Sequence, residues 1–352
     1  MGGTLDDSQR HIIFVVTTCL TVVILGFLGY GELAVLPRLA KQQGNTICKF
    51  KHDSVFYGCM KSFLGMALAT ILITWPITMQ ENLSEEEDAA NLSSSINFCE
   101  TDFQNSRFIA EPANTVSSFT SYLPLATLGF LQSSGVRYWI CFLALFMIGT
   151  GSSLLHASLT AVTQGGDELP MLWYTAATAF CGFDIIFPGV RGLSSLVGLT
   201  AVASTVIYVK FRANFVYFYV IFSIYSWTVI LSIIYISLFM NWERRPYGVE
   251  FKRNVLWPIA RCCGIAVVVA SWVWYLDMFG CSFAKQHSQE SFIWLIWNRV
   301  LHPLWHFLTS ILAFLLIQFF RAADGFSKGK GVPVIRWSAA PVVVFPGTTK
   351  AD

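Results

Sequence analysis

The sequence predicts an all-α, polytopic helical membrane protein. Hydrophobic residues make up 55% of the chain and charged residues 12%, where an average soluble chain carries about 25% charged residues. Several apolar stretches reach the roughly 20 residues that a helix needs to cross a bilayer. The chain has 6 histidines, and His156, His302 and His306 lie in or at the ends of such stretches. The net charge of +2 says little about partners, no basic run suggests nucleic acid, and no protein partner is evident.

Taken in order, spans are predicted at 12–36, 60–79, 110–131, 137–157, 168–187, 191–209, 214–238, 255–279 and 298–320. The first is too long for a signal-peptide core and lacks a strong basic n-region, so it reads as a retained span with Glu32 near its end. With 60–79 it forms an N-terminal helical hairpin over residues 1–80. Residues 81–109 are an extended polar loop, in which Glu85-Glu86-Glu87-Asp88 is a plain solvated acidic run. The remaining spans fill 110–321. Met1–Gln9 and the tail 322–352 are expected to be poorly ordered. Residues Val332–Pro346 nonetheless alternate apolar residues around Pro333, Pro341 and Pro346, a pattern with no account at this stage.

Lys and Arg set the orientation. With the N-terminus outside, the inside segments hold the larger share of basic residues, among them Arg38, Lys41, Arg244, Arg245, Lys252 and Arg321. The active face and N-terminus are then lumenal and the C-terminus cytosolic; the endoplasmic reticulum or Golgi is the expected membrane, which charge itself does not decide. The sequons at Asn82 and Asn91 fall in the lumenal loop. Cys99 and Cys281 lie on the same face, where a disulfide is permitted, and Cys48 and Cys59 are a rival pair. Cys19, Cys141, Cys181, Cys262 and Cys263 lie within spans and read as small packing residues.

His302-Pro-Leu-Trp-His306 puts two imidazoles at i and i+4, on one helix face, where both can reach one metal ion. An isolated HxxxH is weak. Ionisable groups within membrane-length helices are costly, however, and tend to be functional. The charge-derived topology brings His156, Asp167, His302 and His306 to one membrane face. Three histidines leave the fourth position of a tetrahedral zinc site open for water, as in catalytic rather than structural sites. Ser152 precedes His156 by one helical turn and points to the same side, either as a packing residue or as a hydrogen-bond donor to the reacting water or oxyanion. Asp167, apart from Glu168, is the nearby carboxylate on the correct face, and so is expected to move the proton. Trp294, Trp297 and Trp305 read as an interfacial belt.

Asn97, Glu100, Asp102 and Glu111 cluster hard oxygen donors of the kind calcium prefers. From the residues alone they are either that or a solvated acidic loop.

The blocks Asn97-Phe-Cys-Glu100, Ala110-Glu111 with Asn114-Thr-Val, Gly151-Ser152-Ser-Leu-Leu-His156, Asp167-Glu-Leu-Pro-Met171 and His302-Pro-Leu-Trp-His306 occur in this order. Together they resemble the alkaline ceramidase family of seven-span intramembrane zinc amidases, more distantly related to the adiponectin and progestin receptors. The resemblance covers roughly Asn97 to Arg321. It implies a seven-helix hydrolase core behind the N-terminal hairpin. It implies zinc on His156, His302 and His306, with Ser152 and Asp167 beside the bound water. It further implies calcium on Asn97, the Phe98 carbonyl, Glu100, Asp102 and Glu111, and a disulfide between Cys99 and Cys281. The family has Asp-Trp where this chain has Asn97-Phe98, so the implied calcium set lacks one negative charge; an aromatic pair is replaced by Pro112-Ala113. The implied activity is hydrolysis of ceramide, or a related sphingolipid among membrane lipids, to a sphingoid base and a fatty acid. The alternatives are a seven-span lipid-responsive receptor of the adiponectin-receptor type with a residual zinc site, and a lipid-remodelling scaffold with a degenerate one.

Overall fold

A computed structural model describes residues 7–30, 93–104, 106–133, 135–288, 292–337 and 340–345. The expected span 60–79, Glu32, Cys48, Cys59, the acidic run 85–88, Asn82 and Asn91 lie outside the described residues. Among the described residues the helices are α1 (Asp7–Tyr30), α2 (Pro112–Gln132), α3 (Val136–Ser158), α4 (Ala161–Ile186), α5 (Leu193–Phe211), α6 (Phe215–Leu238), α7 (Gly248–Phe251), α8 (Trp257–Ser288), α9 (Phe292–Arg299) and α10 (Leu301–Ser327). Six of these helical segments are long and apolar enough to cross a membrane, and the protein is an integral membrane protein with an all-α membrane part. α3 packs between α2 and α4, while α10 lies against α8 and α2. α7 continues into α8 through a π-helical turn, Lys252–Leu256.

Between membrane helices, close van der Waals fit and small interface residues replace the hydrophobic drive. The tightest approach joins α3 to α4. A Cβ added at Gly151 would meet Gly166 O at 1.9 Å and Asp167 N at 2.9 Å. Pro170 helps to explain why that carbonyl is available, because proline has no N–H to return to the residue four positions earlier. Two backbones in contact here bring Ser152 and Asp167, each one residue further on, to the same level of the bundle.

Several boundaries differ from the sequence expectation. α4 starts at Ala161 rather than 168, because Thr160 and Thr163 form a reciprocal capping box that extends the helix into a polar stretch. Asp167 therefore sits in the second turn instead of at the helix start. The last span is broken at Val300 into α9 and α10. The tail is also more ordered than expected: α10 runs on to Ser327, and β1 (Val334–Trp337) pairs antiparallel with β2 (Pro341–Val344). Arg137 holds the end of α10 by pairing with Asp324 as well as Asp184. The hairpin docks where Val343 N–H donates to Gln318 Oε1 at 3.1 Å and the Phe345 ring covers Gly325. The apolar residues at Val334–Trp337 and Pro341–Val344 are thus the two strands of this hairpin, with Pro341 at the start of one, where proline is tolerated.

Candidate metal centre and active site

α3 contributes His156 in its last turn, and α10 contributes His302 and His306 in its first two turns. One ring nitrogen from each histidine lies within 4.8 Å of those of the other two, and all three side chains are buried. The ring centroids are 4.5–4.9 Å apart and edge-to-face.

The buried partners decide which nitrogen faces inward. His156 Nδ1 lies 2.5 Å from Glu111 Oε2, and His302 Nδ1 lies 2.9 Å from Asp277 Oδ2. With these two groups as carboxylates, which only accept, each Nδ1 carries the hydrogen and each Nε2 a lone pair. His306 Nδ1 is 2.9 Å from Ser117 Oγ, which accommodates the same tautomer. His302 Nε2 is buried with no hydrogen-bond partner. A polar nitrogen left in that state is costly, and three imidazoles oriented by carboxylate or hydroxyl partners are the usual surroundings of a zinc-type ion. The residues present therefore fit a single metal held by three histidines.

Hydroxyls and a carboxylate complete the site. Ser118 Oγ is 2.9 Å from Ser152 Oγ, and Ser152 Oγ is 3.4 Å from His306 Nε2. Asp167, buried, lines with His302, Phe98 and Trp305 one part of an apolar cavity of ≈ 220 Å³. The Phe98 ring packs 4.0 Å from that of His302 and 4.9 Å from that of His156, centroid to centroid. Trp305 is not only an interfacial residue, because its ring lies 5.2 Å from His302 on the cavity wall. Trp297 donates to Leu276 O instead and packs over Gly280.

The acidic loop is anchored on every side. Glu100 caps α2, its two oxygens accepting N–H bonds from Ala113 (2.9 Å) and Asn114 (2.8 Å), with Arg299 alongside. Asn298 and Thr101 exchange two further bonds. Cys99 and Cys281 form a disulfide, and Cys281 is one helical turn beyond Asp277. Asn97 is exposed and gives its amide to Asp102 Oδ2 at 3.1 Å, while its Oδ1 accepts Phe98 N–H. Burial, with the Glu111 charge next, pushes the Glu100 carboxyl up to about 8, against the pull of the two amides and Arg299. Burial likewise raises Asp102. Asp102 Oδ1, Glu111 Oε1 and Asn114 Oδ1 are buried without partners. Among the described residues, however, it is the three histidines, and not the loop carboxylates, that come close enough together to hold one metal ion, and both oxygens of Glu100 are taken by the α2 amides.

Sequence reasoning did not assign Asp277, Ser117 and Ser118 to the site, and placed Glu111 only with calcium. The signal for Asp277 was available, since it is the carboxylate set within the apolar span 255–279. For Asp277→Ala, we expect metal affinity to fall by roughly 10–100-fold, the usual cost of losing such an orienting partner. Competition against a chromophoric chelator measures this; unchanged affinity would show that Asp277 does not orient His302.

Fold and site together define a class: a helical integral membrane protein with a buried three-histidine centre beside an apolar cavity. Comparison supplies the family. Residues 90–346 match the family model Ceramidase, and the chain belongs to that family and is a hydrolase of it. Alkaline ceramidase of Arabidopsis thaliana is 26% identical over 221 residues, covering 61% of this chain and 78% of that protein. Alkaline ceramidase 3 of Mus musculus is 25% identical over 238 residues (64% and 82%). Alkaline ceramidase 1 of Homo sapiens is 28% identical over 239 residues (62% and 78%).

Proposed function

We propose that the protein is an intramembrane, zinc-dependent amidase that hydrolyses ceramide to a sphingoid base and a free fatty acid. The observation that carries this reading is the orphaned Nε2 of His302 among three imidazoles whose Nδ1 atoms are already engaged, beside a cavity with apolar walls. His156, His302 and His306 would hold the zinc. Bound there, zinc supplies acidification of a water and polarisation of a carbonyl oxygen.

The chain's own residues do the rest. In hydrolysis the amide C–N bond breaks, water oxygen joins the acyl carbon, and the amine leaves with a proton. Asp167 takes the water's proton and returns one to the departing nitrogen, the work of a positioned general base and acid. Ser152, 2.9 Å from Ser118 Oγ in the structure, turns its O–H from Ser118 to donate a hydrogen bond where negative charge develops on the substrate oxygen. Glu111 and Asp277 keep the rings of His156 and His302 in register, and Phe98 and Trp305 keep bulk water from them.

Calcium, in this reading, sits among Asn97, the Phe98 carbonyl, Glu100, Asp102 and Glu111. It stabilises the loop that fixes His156 without touching the bond that breaks. The lumenal face of the endoplasmic reticulum or Golgi suits a structure that depends on a disulfide. A receptor has no observation in its favour here, since the relatives named above carry ceramidase names.

One assay tests the whole reading: purified protein with a ceramide panel, with and without a zinc chelator, then titrated with free calcium for wild type and Asn97→Asp. The expected result is chelator-sensitive release of fatty acid, with Asn97→Asp needing less calcium. Chelator-resistant turnover would end the zinc assignment, and superimposable calcium-independent curves would end the calcium one.

A further inference from the structure

Helix α1 lies outside the family-matched residues 90–346, yet it is built into the bundle. Ile13, Thr17, Ile24 and Phe27 are buried and Leu20 is half-buried. Their spacing of 4, 3, 4 and 3 residues marks one face of a helix. That face is fixed in register against two core helices. Trp272 Nε1 on α8 donates to Thr21 Oγ1 at 3.0 Å, and Tyr219 on α6 donates to Ile13 O at 3.5 Å. Gly264 of α8 allows the close approach, since a Cβ there would stand 3.1 Å from Ile24 and Leu28. The Phe27 ring meets Trp257 edge-on.

Held there, α1 turns Val16, Thr17 and Leu20 into the same ≈ 220 Å³ cavity that Asp167 and His302 line, and Trp274 and Phe215 are among its other walls. We propose that α1 is a wall of the lipid cavity and that Val16, Thr17 and Leu20 set which hydrocarbon-chain lengths it accepts. The chemistry is steric. A methylene more or less in an apolar pocket shifts discrimination by roughly 10–200-fold, and the wall can be moved inward or outward by changing one side chain. This inference rests on the ceramide reading for its substrate, but not for its geometry.

The test uses full-length protein carrying Val16→Phe, which fills the cavity, Leu20→Ala, which enlarges it, and Leu25→Ala, which lies on the exposed face of α1. Relative kcat/KM is measured across N-acyl sphingosines of graded acyl length, then across ceramides of graded sphingoid length. The long-to-short ratio should fall by roughly tenfold or more in Val16→Phe, rise in Leu20→Ala, and stay at the wild-type value in Leu25→Ala. Unchanged ratios in both cavity variants, or an equal shift in Leu25→Ala, would overturn the proposal. Should either cavity variant fail to fold, Val16→Ile and Leu20→Val make the same comparison with smaller steps. A second readout does not need catalysis: the rise in Tm caused by fatty acids of graded length. If wild type cleaves no ceramide, the proposed function falls. The Tm series then decides α1: a length profile altered by the cavity variants supports it, and one they leave unaltered refutes it.

Discussion

His302→Ala should reduce ceramide hydrolysis to background and strip the protein of bound metal. The size of the effect follows from the ligand count. A three-histidine centre has no spare protein donor, and His302 contributes the nitrogen that has nothing else to bind. The substitution also leaves the Asp277 carboxylate, buried in the bundle, without its imidazole. A buried group that loses its charge or hydrogen-bond partner is destabilising in its own right, so the variant needs a folding check by Tm beside the assay. Metal analysis should fall from about one zinc per chain to none. Full activity in folded His302→Ala would end the mechanism.

Asp167→Asn should separate chemistry from metal binding. The amide has the same shape as the carboxylate but cannot accept a proton at neutral pH, so turnover should drop by roughly 10²–10⁴-fold, the contribution of a positioned general base. Zinc content should remain that of the wild type. Loss of metal in this variant would move Asp167 into the coordination shell and assign the proton step to another residue.

Much of the fold was legible because hydrophobic run length speaks directly to membrane-spanning helices, and the long described helices overlap predicted spans. The meeting of His156 with His302 and His306 was legible for a different reason: helix order and alternating direction already placed them at one end of the bundle. What one chain cannot display is which side chains meet across helices. Glu111 offered hard oxygens in a loop of hard oxygens, and only the packing of the α2 start against the α3 end puts it on His156. Asp277 carried the right warning as a carboxylate in an apolar span, but its partner lies 25 residues further along. The β-hairpin went unread because its prolines mimic linker composition, whereas the helix end that receives it supplies the missing contact at Gln318.

The contact between Gly151 and Gly166 has a lopsided consequence for how this site can drift under mutation. A methyl group at Gly166 would reach only Gly151 Cα, at an ordinary 3.9 Å. A methyl at Gly151 would run into main chain, which has no rotamer to yield. Alanine is therefore open to one partner and closed to the other, although the two positions look equivalent in the sequence. Changes that enlarge Gly151 must push α3 from α4 and carry Ser152 away from Asp167. The spacing of Ser152 and Asp167 is kept by the hydrogen atom that stands in place of a side chain.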